Sequence, residues 1–336
     1  MADEKFFSKP TAEETALLKR TGSADREVAT AAARELAIAI QGPLRQGIMC
    51  GDITNGIFEQ IVLQPGAAPE YPLDLLAPGT EKDYVAYTIP KIGRIPERNV
   101  EGDYVTVPTY EIGNSINWAL RYARDARWDI VGRSLQVFRA GFVKKINDDA
   151  WHTLLAAALD RNIIVYDGDA TAGQFTKRLV SLMKTVMRRN GGGNSTSANR
   201  GKLTDLYMSP ESMEDIRDWK VDQVDEITRN QIFNAPDGSL SRIFGVTIHD
   251  IDELGEDQEY QNFYTNQLSG AVASGDLEIV VGLDLSKPNC FVMPIREDVQ
   301  VFEDDGLHRS RQNGVYGWTE RGVGVLSNTQ CLLGSL

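Results

Sequence analysis

From Ile279 the chain reads Ile-Val-Val-Gly-Leu-Asp-Leu, and from Phe291 it reads Phe-Val-Met-Pro-Ile-Arg-Glu-Asp-Val-Gln-Val-Phe-Glu-Asp-Asp-Gly. It continues from Gly314 as Gly-Val-Tyr-Gly-Trp-Thr-Glu-Arg-Gly-Val-Gly-Val-Leu-Ser-Asn-Thr-Gln-Cys. Val299 to Phe302 and Val315 to Leu326 alternate apolar and polar residues with period two, the pattern of half-buried strands. None of the serine, histidine or cysteine residues in this ending has the spacing of a catalytic arrangement.

Upstream, the chain has an ordered series of elements. Thr11-Ala-Glu-Glu14 is a capping box, in which the threonine hydroxyl and Glu14 satisfy each other's backbone amides. A second helix follows Gly22-Ser23 with Asp25 and Glu27 near its start, and is expected to stop at Gly42-Pro43. Leu36 and Ile40 give it only a thin apolar stripe, so it needs a larger body to lean on. Seven prolines between Pro65 and Pro108 punctuate two strand-like runs, Tyr84–Ile89 and Tyr104–Tyr110. The connector between them carries Lys91, Arg94 and Arg98. A lone two-stranded ribbon is marginal in water, so it must pack on its own sheet or on another chain.

No proline interrupts 121–159. Trp128, Val131, Leu135, Phe138, Phe142, Ile146, Ala150, Leu154 and Ala158 are spaced by threes and fours and share one helix face. The rod so predicted is roughly 48 Å long. Gly132 and Gly141 each cost it about 1 kcal/mol relative to alanine, so packing must hold it together. Bulky Trp128, Phe138 and Phe142 and the absence of paired charges argue against a coiled-coil arm. Next comes an amphipathic helix over 174–189, a glycine- and serine-rich loop over 191–201, and a buried strand over 203–208. Ser209-Pro210 then opens a further helix with a cap and a proline at its first position. Phe244-Gly-Val-Thr-Ile-His-Asp-Ile251 reads as one more strand.

The aromatic-Thr-Glu-Arg-Gly ending, the strand running into Ser209-Pro210, and the Gly-apolar-x-apolar strand at Gly245 together resemble the major capsid proteins of tailed bacteriophages, the Hong Kong 97-like family. The resemblance covers nearly the whole chain. It implies an α+β fold divided as follows: an N-terminal arm (1–66), an extended β-ribbon or E-loop (67–117), a peripheral domain with the spine helix (118–168), an axial α/β domain (169–300), and return strands of the peripheral domain (301–336). By the same resemblance the chain would be a structural subunit and not an enzyme. It would assemble with itself as pentamers and hexamers into an icosahedral shell around double-stranded DNA, without sequence-specific contacts. Scaffolding, portal and decoration proteins are its expected partners, and the virion its place, after assembly in the host bacterial cytoplasm. Lys91, Arg94 and Arg98 at the ribbon tip are candidate contacts to an acidic neighbour, and Asp250, Asp252 and Glu253 would face their copies near a symmetry axis. Met1 leads almost directly into the arm, without the long cleaved prodomain of some members, so scaffolding is expected from a separate protein or not at all. The family's Lys–Asn cross-link cannot be placed on any residue pair here.

Composition sets the bounds. Lys and Arg total 35 against 48 Asp and Glu, a net charge of −13, which disfavours a protein that grips phosphates directly. It suits the wall of a container for a polyanion. No apolar run reaches membrane-spanning length, and Met1-Ala-Asp-Glu lacks the pattern of a secretory signal. Cys50, Cys290 and Cys331 are odd in number and widely spaced, which disfavours a disulfide framework or zinc site; reduced thiols are the default reading, and an inter-subunit disulfide among them is the alternative. No cofactor is expected. Gly201-Lys202-Leu203 fails the phosphate-loop pattern, and no G-x-S-x-G elbow is present. His152, His249 and His308 have no ligand spacing. Six carboxylates fall between Asp250 and Glu259, but Leu254 and Gln261 stand where a calcium loop needs oxygen ligands. A solvated loop, a shared divalent cation or a basic neighbour could account for that run. The rival readings are an encapsulin compartment of the same fold, a two-domain α/β enzyme using the acidic clusters at 250–259 or 303–305, and a tail or baseplate component.

Overall fold

The computed structural model describes residues 10–51, 53–72, 104–190, 201–219, 242–272 and 278–336. In chain order the elements are α1 (Ala12–Thr21), α2 (Arg26–Gly51), β1 (Glu59–Val62), β2 (Glu70–Pro72), β3 (Tyr104–Thr106), β4 (Tyr110–Ala119), α3 (Leu120–Arg124) and α4 (Trp128–Asp160). They continue with β5 (Ile164–Tyr166), α5 (Lys177–Asn190), β6 (Asp205–Met208), α6 (Pro210–Asp218), β7 (Arg242–Ile243), β8 (Val246–Asp250) and α7 (Glu259–Asn262). The last are β9 (Ile279–Leu283), β10 (Phe291–Glu303), β11 (Gln312–Arg321), β12 (Gly324–Val325) and β13 (Cys331–Ser335). The fold is α+β, and the chain divides into two compact units.

The first unit gathers Met1–Pro69, Thr106–Ala150 and Val292–Gly324. Its sheet runs β1-β10-β11-β4. β11 and β4 pair without interruption from Gln312 opposite Ala119 to Arg321 opposite Tyr110. The alternation read in the sequence appears as burial: Val299, Val301, Val315 and Thr319 face inward, while Phe302, Tyr316 and Trp318 remain half-exposed. Against the inward face lies the first part of α4, where Trp128, Val131, Leu135, Phe138, Phe142 and Ile146 are all buried. The Phe138 and Phe142 rings meet edge to face at 5.2 Å. Burying each ring contributes on the order of 2 kcal/mol, which outweighs the propensity cost of Gly132 and Gly141. The capping box of α1 forms as read, with Glu14 N–H donating to Thr11 Oγ1 and Thr11 N–H donating to Glu14 Oε2.

Helix α2 departs from its sequence reading. It does not stop at Gly42-Pro43 but continues to Gly51 with Pro43 inside it. A proline there removes one helical hydrogen bond and crowds the preceding turn. Ala29, Ala32, Ala33, Leu36, Ala37, Ile40, Leu44 and Ile48 are all buried, so the apolar stripe runs on past the proline. Gly47 lets α2 close on α4, since a Cβ there would stand 2.5 Å from the Arg139 guanidinium. The stripe looked thin only because four of its members are alanines.

The second unit gathers Glu70–Val105, Trp151–Phe291 and Val325–Leu336. Its sheet has the order β5-β13-β9-β6-β8-β7, with parallel and antiparallel neighbours mixed. On one face α5 and α6 bury Leu179, Met183, Met187, Met213 and Ile216 against Leu206, Ile248, Val280 and Leu332. Met183 settles over two glycines, Gly282 and Gly334, where a Cβ would come within 2.9 and 3.0 Å of it. Trp151, Leu154 and Ala158, from the last part of α4, are buried here, and Trp151 stacks on Tyr260 and meets Tyr207 edge-on. Ser209 caps α6 as read, accepting from Ser212 N–H, with Pro210 at the first position.

Two further segments differ from the pattern of the sequence. The final period-two strand ends at Arg321 and not at Leu326, because Gly322 N–H turns to the Pro294 carbonyl. The run Tyr104–Tyr110 is split around Pro108 into β3 and the first residue of β4. β2 and β3 pair at the base of the proline-rich segment. The Tyr84–Ile89 strand and the tip residues Lys91, Arg94 and Arg98 lie outside the described residues, as does most of the 191–201 loop.

Candidate assembly surfaces

Two of the three histidines, His152 and His249, are held structurally. His152 stacks on Phe263 with ring centroids 3.7 Å apart. His249 Nε2 is 2.9 Å from Asp205 Oδ1, and its ring stacks on Tyr207 at 4.6 Å. Asp205 is held below the ordinary carboxylate range; burial alone would raise it, but the hydrogen bonds from His249 and Thr204 prevail. The side chain of His308 lies outside the described residues. Among the described residues no group of three or more His, Cys, Asp or Glu could hold a metal ion, and no helix is long and apolar enough to cross a membrane.

Cys331 is wholly buried, and burial pushes its thiol up to about 12. Cys290 is also buried, its thiol donating to the Pro288 carbonyl at 3.4 Å. In the folded chain the Cys331 thiol is therefore not offered to a neighbour. The side chain of Cys50 lies outside the described residues. Arg161 fixes the strand that carries Cys331, donating through Nη1 to the Thr329 and Cys331 carbonyls at 2.8 and 2.9 Å.

The acidic run begins at the C-terminal end of β8. Asp250 and Asp252 are exposed and Glu253 is half-buried, its carbonyl accepting from Tyr260 N–H. Gly255 follows with φ +133, a conformation that suits glycine, and a Cβ there would stand 3.2 Å from Glu211 Oε2. The run thus folds over the start of α6. Beneath it lies a buried group that sequence reading missed. Glu278 accepts from Ser209 Oγ at 2.6 Å and from Ser212 Oγ at 3.2 Å. Burial raises its carboxyl above the ordinary value; the two serine hydroxyls counter this, and nearby Glu211 and Asp215 add to the rise. Ser209 and Ser212 were visible only as a helix cap, and nothing in the local sequence pointed to a carboxylate 69 positions away.

Outside this region, the surface carries large apolar residues. In the first unit Val62 is 72% exposed, Ile38 71% and Val137 59%; in the second, Tyr166 and Phe244 are exposed. Tyr316 and Trp318 both stack on Phe302 on the outer sheet face of the first unit, with Phe302 and Trp318 centroids 4.6 Å apart. Isolated apolar residues on a surface are ordinary, but a stacked aromatic row is a feature of association surfaces.

No family model matches the chain, and no curated protein does. Solved structures do match. A chain of Microbacterium phage Oxtober96 superposes with a TM-score of 0.59 at 13% identity, over 85% of this chain and 90% of that chain. A chain of the capsid of Myoviridae phage XM1 gives 0.51 at 14% identity, over 84% and 90%. A chain of the capsid of a native GTA particle computed with C5 symmetry gives 0.51 at 13% identity, over 84% and 89%. This chain therefore has the fold of phage-type capsid subunits along most of its length.

Proposed function

We propose that the chain is the major structural subunit of a tailed-phage head, a protein that acts by assembly and not by catalysis. The observation that carries this reading is the capsid-subunit fold, shared over about 85% of the chain with structures covered nearly end to end. In this reading pentamers and hexamers close into an icosahedral shell around double-stranded DNA. The proline-rich segment between β1 and β4 is the extended ribbon, laid over an adjacent subunit with Lys91, Arg94 and Arg98 against acidic groups there. The start of the N-terminal arm, ahead of α1, reaches a further neighbour. A closed shell multiplies contacts that are individually modest. The aromatic row Tyr316–Phe302–Trp318 and the exposed Ile38, Val62 and Val137 are surfaces that such neighbours would cover. Scaffolding, portal and decoration proteins are further partners in this reading, and assembly takes place in the host bacterial cytoplasm.

Reversing Lys91, Arg94 and Arg98 to glutamate is expected to leave a folded subunit that no longer closes shells. Normal particles from that variant would remove the ribbon tip from the account. Contents separate the two shell readings. Nuclease-protected double-stranded DNA in particles from the native source identifies a head, and an enclosed enzyme identifies an encapsulin.

A further inference from the structure

The second unit is electrically polarised along β8. At the start of that strand lies the two-residue turn Phe244-Gly245, with φ +50 and +78, the left-handed pair a tight hairpin requires. Phenylalanine is a poor choice there, since a bulky side chain at positive φ is strained, yet its ring is 49% exposed. Lys184 of α5 reaches the turn and donates to the Phe244 carbonyl at 2.6 Å. Arg188 lies one helical turn beyond Lys184, with Arg189 next to it; both are exposed, and neither has a partner among the described residues. Arg242 is exposed on β7. In a chain of net charge −13, α5 reads Lys-Arg-Leu-Val-Ser-Leu-Met-Lys-Thr-Val-Met-Arg-Arg-Asn, with five cations and no acid. Lys177 and Arg178 lie at its other end, where Arg178 pairs with Asp167 and Asp169.

The opposite end of β8, about 13 Å away along the strand, carries the opposite sign. There Asp250, Asp252, Glu256 and Asp257 are exposed, joined by Glu211 and Glu214 of α6. One compact body thus has a cationic end bearing an aromatic side chain and an anionic end across its sheet. Two copies placed head to tail bring unlike ends together, whereas a two-fold pairing through either end brings like charges together. Head-to-tail contacts of this kind generate rings when the rotation closes.

We propose that the face formed by Lys184, Arg188, Arg189, Arg242 and Phe244 docks on the acidic end of the second unit in a neighbouring copy. This inference rests on the shell reading and assigns it a specific contact. A nucleic acid is the competing occupant of a basic face. The same-chain occupant is favoured because the complementary charge is present in every copy and because the protruding Phe244 adds an apolar contact.

The test uses the full chain. Arg188→Glu with Arg189→Glu reverses one end, Asp252→Arg with Glu256→Arg reverses the other, and a third variant carries all four changes. Circular dichroism and the thermal midpoint check folding, and Arg188→Gln with Arg189→Gln is the milder substitute if the reversal does not fold. Ring and particle formation is then followed by sizing chromatography and negative-stain microscopy, alongside retention of double-stranded DNA. Each two-site reversal is expected to raise the concentration needed for assembly at least about tenfold, and the four-site variant to recover most of that loss. Wild-type assembly with unimpaired two-site reversals would overturn the contact and leave the shell reading standing. Loss of DNA retention with unchanged assembly would overturn it in favour of the nucleic acid. A wild type that never assembles in the parallel run would remove the shell reading, and this contact with it.

Discussion

Gly317 of β11 and Phe138 of α4 meet so closely that a Cβ on the glycine would stand 3.3 Å from Phe138 Cζ and 2.5 Å from the Gln300 carbonyl oxygen. The missing side chain lets the long helix settle onto the sheet and keeps β10 and β11 in register. Gly317→Ala would force a backbone shift and is expected to cost about 1–3 kcal/mol. Urea unfolding of the unassembled subunit measures it, and an unchanged midpoint would mean the helix is not seated there as described.

Arg161 sits half-buried with two carbonyls of the β13 segment as its acceptors. Burial lowers its pKa from the ordinary arginine value, yet that value is so high that the group remains a cation. Arg161→Ala leaves the Thr329 and Cys331 carbonyls without this donor and should cost about 2 kcal/mol. Hydrogen exchange should quicken first at the amides of Cys331–Ser335. Uniform loss of protection over the whole chain would instead mark a global effect.

Glu278 gives stability a pH dependence of its own. Its folded carboxyl is raised above the ordinary 4.5, so the folded state holds a proton that the unfolded chain has already released. The resulting contribution is present below pH 4.5 and declines as pH rises from there through the raised value. Glu278→Gln keeps an acceptor for Ser209 and Ser212 and removes the charge. The variant should show a flatter profile and gain stability at neutral pH relative to pH 4. A profile parallel to wild type would show that Glu278 does not titrate as described.

Phe244 allows stability and assembly to be separated. Asparagine tolerates positive φ far better than phenylalanine, so Phe244→Asn should stabilise the isolated subunit by about 1 kcal/mol. The same change removes the exposed ring from the proposed contact and should weaken ring formation. A variant that is more stable and assembles as well as wild type would leave the strained phenylalanine without a role.

What the sequence revealed depended on whether pattern and burial coincide. All nine apolar residues read onto the long helix, from Trp128 to Ala158, are buried in α4, because a helix packed along one face must repeat its apolar residues at helical spacing. The Thr11–Glu14 box and the Ser209-Pro210 start were equally plain, since caps depend only on near neighbours. Pro43 misled because a local rule was overridden by the burial of Leu44 and Ile48 beyond it. Strand β13 escaped notice as a separate element. Its five residues are all buried, so no alternation marks them, and its partners β5 and β9 are distant in sequence. The Glu278 cluster is built by tertiary contact alone. The cationic face of α5 was legible in composition, but its meaning came from the sheet, which sets it at the other end of β8 from the acids.

The most direct test of the account is negative-stain microscopy of the full-length protein, with sizing chromatography on the same sample. Closed polyhedral particles, or rings of five and six, are expected to elute far ahead of a 37.2 kDa monomer. A folded protein that remains a monomer or dimer at high concentration would contradict it.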